Sequence, residues 1–189
     1  MGRKRINNGK YIDDQMGNGV PSGGTTGQVL VKNSATDYDY GWGEAGGSVD
    51  LLSNFDTSST SAVNTNLSFP IAANERYTVR VWGHVSKAIS NTGLKVGVGA
   101  PSGCTVTGTE FRGGAAYSTA LTNGEISAIN TLGGTFATGI GVKVPFRMEF
   151  RVINGSTAGS ITILFATVTS NTATMYAGSY MNWEKSTGV

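Results

Sequence analysis

Between Val142 and Val152 the chain alternates without a break. Val142, Val144, Phe146, Met148, Phe150 and Val152 fall on one parity, while Lys143, Arg147, Glu149 and Arg151 fall on the other. Period 2 held over this length belongs to a β-strand with one dry face and one wet face. A helical period would scatter these apolar residues around the axis, so the segment commits the chain to a sheet with an apolar layer packed on it. Composition agrees. Charged residues are only 14%, against roughly 25% in a typical soluble domain. Glycine is 28 of 189, about twice the usual share of roughly 7%. That excludes a helical bundle or coiled coil, while 39% hydrophobic residues suffice for a core.

Strand signals recur from residue 49 onward. Leu67-Ser68-Phe69-Pro70-Ile71 alternates, and Asn74-Glu75 then turns the chain. Tyr77, Val79, Val81 and Val85 share one face, with Arg80, Trp82 and His84 on the other. Leu94 to Val98 is followed by a turn at Ala100-Pro101-Ser102-Gly103, and Cys104 to Thr107 is short and extended. Glu125 to Leu132 reads as a further strand. Asn154-Gly155-Ser156 turns the chain into Ser160 to Thr169, with Ile161, Ile163 and Phe165 on one side. Ala173 to Trp183 closes the pattern, with Met175, Met181 and Trp183 on one parity. Two packed antiparallel sheets fit best.

Composition shifts near residue 48. Residues 1–48 hold few aliphatics and many turn formers, among them Gly17-Asn18-Gly19 and Pro21-Ser22-Gly23-Gly24. Such a segment cannot offset its ordering entropy alone, so a partner surface is expected to order it.

Function classes fall away in turn. Net charge is +2, and outside Arg3-Lys4-Arg5 no basic stripe appears, so nucleic acid is not an expected partner. No run approaches 18 apolar residues, so membrane insertion is not expected. Met1-Gly2-Arg3-Lys4-Arg5 is followed by Ile6-Asn7-Asn8-Gly9, not an apolar core, so no signal peptide is expected. Cys104 is the only cysteine, which excludes a disulfide framework within one chain. His84, the only histidine, has no acid at a recognisable spacing and reads as a polar-face strand residue.

Gly97-Val98-Gly99 and Gly139-Ile140-Gly141 lack the following helix that a phosphate loop needs, and read as turn or bulge glycines. Asp37-Tyr38-Asp39-Tyr40-Gly41 fails the calcium-loop spacing, because Gly41 and Ser48 stand where oxygen ligands are required. Asn66-Leu67-Ser68 and Asn154-Gly155-Ser156 match glycosylation acceptors by chance. No nucleophile elbow is present. The chain is therefore expected to be no enzyme, with no catalytic, cofactor or metal site. Trp82 and Tyr176 or Tyr180 are read as outward aromatics, and Trp183 as lying on the Met175 face, with interface or core packing the leading role for each.

Two stretches carry a resemblance. Gly19-Val20-Pro21-Ser22-Gly23-Gly24-Thr25-Thr26-Gly27-Gln28-Val29-Leu30-Val31-Lys32, followed by Asp37-Tyr38-Asp39-Tyr40-Gly41-Trp42, resembles a linker of tailed-bacteriophage fibre and appendage proteins. The body, from Leu51-Leu52-Ser53 through Leu67-Ser68-Phe69-Pro70-Ile71 to Ala177-Gly178-Ser179-Tyr180-Met181, resembles the β domain of phage head-fibre, decoration and tail-fibre proteins. The resemblance implies an all-β chain: an extended N-terminal anchor and linker, then a jelly-roll-like antiparallel β-sandwich similar to tumour-necrosis-factor and C1q heads, commonly trimeric.

On that basis residues 1–18 are a virion-anchoring peptide (Arg3, Lys4, Arg5, Ile6, Tyr11 and Ile12), 19–48 a Gly-rich extended linker or stem, and 49–189 the body. Val29, Leu30, Val31 and Trp42 are expected at a homotrimer interface, and the anchor on the major capsid protein or another virion protein. The expected function is a capsid-decorating head fibre, made in the host cytoplasm and located in the virion. The alternative is a short tail-fibre or receptor-binding tip that holds a host surface glycan. A depolymerase is disfavoured, since a glycosidase needs two acids about 5 to 9 Å apart and the body's seven acids are scattered.

Overall fold

The computed structural model describes residues 21, 23–25, 28–32, 39–44, 46–89, 93–113, 122–136 and 140–186. The chain divides into two compact units between Gly47 and Ser48. Every regular element among the described residues is a β-strand.

In the first unit β1 (Gln28–Lys32) pairs antiparallel with β2 (Tyr40–Glu44), from Gln28 opposite Glu44 to Lys32 opposite Tyr40. The sequence reading gave this stretch only as extended linker. Glycine-rich composition hid the pairing, because Gly41 and Gly43 in β2 contribute no apolar alternation.

The body builds two sheets. The smaller has the order β10-β7-β12-β5, from β5 (Val63–Ile71), β7 (Leu94–Gly99), β10 (Thr131–Leu132) and β12 (Gly159–Thr167). The larger runs β3-β14-β6-β11-β8-β9, from β3 (Gly46–Asp50), β6 (Arg76–Lys87), β8 (Thr105–Arg112), β9 (Thr122–Ile126), β11 (Val144–Ile153) and β14 (Tyr180–Lys185). Two short strands, β4 (Phe55–Thr57) and β13 (Ala173–Met175), attach beside β6.

Strands β5 to β12 form one long hairpin rolled up. Its halves pair as β8 with β9, β7 with β10, β6 with β11 and β5 with β12. Rolling adds β8 to β11 and β7 to β12. That is jelly-roll connectivity, and the chain is an all-β antiparallel sandwich.

The core lies between the sheets. Val144, Phe146, Met148, Phe150 and Val152 of β11 are buried, while Arg147 and Glu149 are half-exposed on the outer face. Each buried large apolar side chain contributes about 1.5–3 kcal/mol. Glycines make room where rings cross: a Cβ on Gly83 would lie 2.5 Å from the Phe146 ring, and one on Gly108 would lie 2.4 Å from Phe150 Cβ. Phe69 stacks on Trp183 with centroids 4.2 Å apart.

Several boundaries differ from the sequence reading. β11 begins at Val144, not Val142, because Gly141 turns the chain at φ +62°. The short stretch Cys104 to Thr107 opens out of a turn, with the Cys104 amide donating to the Pro101 carbonyl, and Thr105 to Thr107 start a longer strand, β8. Glu125 to Leu132 divides between β9 and β10, with Asn130 at φ 57° beside the break. Ala173 to Trp183 is two strands, β13 and β14, both laid along β6 and separated by a turn with Gly178 at φ +83°. Gly97 and Gly99 are not turn glycines. They sit within β7, where a Cβ on Gly97 would come 2.1 Å from the Thr131 carbonyl oxygen.

Candidate functional site

Two surfaces and one buried pair carry the chemistry of the described residues. The first surface is the hairpin. Leu30 stands opposite Trp42, so both project from one face, whereas Val29 and Val31 stand opposite Gly43 and Gly41 on the other. Val31 leans over Gly43, while Val29 and Leu30 remain 40% and 39% exposed. The Trp42 indole N–H donates to the Pro21 carbonyl at 2.7 Å, which ties the strand to the preceding segment. The hairpin thus brings together all four residues expected at an interface. The anchor residues Arg3, Lys4, Arg5, Ile6, Tyr11 and Ile12 lie outside the described residues, as do Asp37 and Tyr38 of the Asp37 to Gly41 stretch.

The second surface is the outer face of the large sheet. Register places Tyr180, Trp82, Arg147 and Phe111 side by side on β14, β6, β11 and β8. The Arg147 guanidinium lies 4.9 Å from the Trp82 ring centroid and 5.9 Å from that of Phe111, a cation–π arrangement on both sides. Its Nε has no hydrogen-bond partner, since rings flank it. Trp82, Phe111, Pro145, Phe146 and Arg147 line a shallow hollow of about 360 Å³. One residue pair further along the strands, Arg80 meets Glu149 at 3.3 Å and Glu184 at 3.4 Å, and Arg147 meets Glu149 at 2.7 Å.

Trp82, Tyr180 and Arg147 were legible as outward residues from their parity. Phe111 was not, because it belongs to the unexpected second half of β8. His84 is exposed on the same face, as its parity requires. Tyr176 is half-buried instead, its hydroxyl 2.9 Å from Ser86 Oγ and its ring under Lys143.

The buried pair is Glu110 with Arg112. Both fall on the inward parity of β8, with side chains only 2% and 12% exposed. Arg112 donates through Nε and Nη2 to Glu110 Oε1, which also accepts the Gly134 amide at 3.2 Å. A Cβ on Gly133 or Gly134 would strike these groups, so the glycines let the loop close over the charges. This pair holds a loop to a strand. Among the described residues no cluster of three or more His, Cys, Asp or Glu side chains is placed to hold a metal ion. Burial pushes the Cys104 thiol up from its ordinary value, away from thiolate chemistry. No helix among the described residues is long and apolar enough to cross a membrane.

No family model matches the chain, and comparison with curated proteins finds no match. Among solved structures, the chain is similar to the CBM22-1–GH10 modules of Clostridium thermocellum endo-1,4-beta-D-xylanase 10B complexed with xylohexaose. The likeness covers 86% of this chain and 25% of that one, at 12% identity and a TM-score of 0.28. A likeness of this degree bears on neither fold nor function.

Proposed function

We propose that this chain is a non-enzymatic structural protein of a bacteriophage virion, a capsid-decorating head fibre held to the particle by its N-terminus and projecting a trimeric β body. The observation that carries the reading is the β1–β2 hairpin. A two-stranded hairpin is marginal in water, and this one leaves Val29 and Leu30 exposed on opposite faces. Other chains covering those faces supply the missing stabilisation. The phage-appendage linker motif coincides with this hairpin, since Gln28 to Lys32 and Tyr40 to Trp42 belong to both.

Trimerisation also brings three copies of a weak anchor together, raising their effective concentration without new contacts.

Electron microscopy of particles tests the reading: density for the body is expected on capsomers. Deleting residues 1–18 should leave a folded, soluble body that no longer joins particles. Incorporation of the truncated protein overturns the anchor assignment. A second reading, a receptor-binding tip for a host surface glycan, is favoured by one feature, the aromatic row on the large sheet, and density at the tail would select it.

A further inference from the structure

We infer that the row Tyr180–Trp82–Arg147–Phe111 is a saccharide-binding strip for neutral pyranose chains, an inference that rests on the receptor-binding reading above. Neighbouring strands lie about 4.8 Å apart. Tyr180 and Trp82 are therefore one strand step apart and Trp82 and Phe111 two, with Arg147 between. Trp82 is 43% and Tyr180 37% exposed. Neither the Trp82 indole N–H nor the Tyr180 hydroxyl is hydrogen-bonded among the described residues. Two rings and two free polar groups thus face outward from a rigid sheet.

The surroundings of the row select its occupant. A protein partner buries about 800 Å² per side and keeps charges out of the centre. Here the row is bordered along the strands by Pro145 and His84 on one side, and on the other by Arg80 and Glu149, held in ion pairs. Covering those charges with protein exacts a desolvation cost. A pyranose fits without it. Its C–H face packs on an aromatic ring, and its rim hydroxyls reach the neighbouring Arg and Glu groups. Its ring size is close to the strand spacing, so consecutive sugars can follow the row across the sheet. Arg80 and Arg147 are offset by Glu149 and Glu184, so the strip has no net charge to favour an acidic sugar.

The test uses the full chain on a printed array of neutral and acidic bacterial-surface oligosaccharides, with tryptophan fluorescence titration of the strongest binder. Binding to neutral members is expected. Trp82→Ala and Phe111→Ala should each weaken it at least tenfold, while Thr107→Ala, on the same face but off the row, leaves it unchanged. Circular dichroism confirms that the variants fold. No array binding, binding confined to acidic members, or binding indifferent to Trp82→Ala overturns the strip. So does a lighter assembly for Trp82→Ala in sedimentation, which would make the face a contact between copies. Labelled full chain applied to host cells separates the two failures. Adsorption that survives Trp82→Ala keeps the receptor-binding reading and removes this site, and absence of adsorption by the unaltered protein removes both.

Discussion

Glu110 is a carboxylate inside the sandwich, and its stability rests on Arg112 and the Gly134 amide. Removing one partner of a buried pair leaves an uncompensated charge, at a cost of about 3–5 kcal/mol. Glu110→Ala should therefore lower the urea midpoint by that equivalent. The double variant Glu110→Leu/Arg112→Leu should recover much of it, because two apolar residues need no partner. A single variant as stable as the unaltered protein would show that the pair is solvated. Glu75 poses the opposite case, near the surface. Burial raises its carboxyl, but hydrogen bonds from Lys185 and Tyr77, the Lys185 charge and the Ala72 amide outweigh this and hold it below its ordinary value of 4.5. A lowered folded value gives stability that is present above 4.5 and lost as pH falls through the folded value. Glu75→Gln should cost about 0.2–1 kcal/mol at neutral pH and flatten the acid limb, measured by denaturation between neutral pH and the acid range. An unchanged acid limb would remove Glu75 from the account.

Elements were legible where parity was clean. β11 announced itself because its inward residues are all apolar, while its outward positions Arg147, Glu149 and Arg151 are all charged. β8 broke that rule with Glu110 and Arg112 on its inward parity, so its second half was invisible until the pair was seen to neutralise itself. β7 misled through Gly97 and Gly99, which look like turn residues but serve close approach to β10 and accommodate Leu164. Gly97→Ala tests this at the element scale. Its Cβ would collide with backbone, not with a side chain that can swing away, so β10 must shift. A loss of about 1–3 kcal/mol is expected, read as a lower melting temperature, whereas Gly178→Ala strains only a turn. An unshifted melt for Gly97→Ala would mean that β10 gives way freely. The aromatic row was legible residue by residue but not as a row. Which outward residues become neighbours depends on register between strands far apart in sequence, and a single chain does not spell that out.

At the scale of the molecule, the jelly roll leaves edges. β5 borders the small sheet with nine residues, and only Pro70 among them lacks a backbone N–H. Long edges invite pairing, and proteins commonly guard them with charge. β5 carries none: its sequence is Val-Asn-Thr-Asn-Leu-Ser-Phe-Pro-Ile. The hairpin presents the same problem in miniature, two strands with exposed aliphatics on both faces. A closed three-fold assembly answers both, since cyclic symmetry lets each copy cover its neighbour without leading to open polymers. Sedimentation equilibrium at micromolar protein should therefore give three times the chain mass of 19.6 kDa. Leu30→Asp, which sets a carboxylate on the hairpin face beside Trp42, should shift the population to lighter species while far-ultraviolet circular dichroism of the body is retained. The contrast matters, because a body that unfolded would lose both signals together. A single species at 19.6 kDa for the unaltered chain would leave β5 and the hairpin uncovered in solution, and the fibre reading would lose the assembly on which it depends.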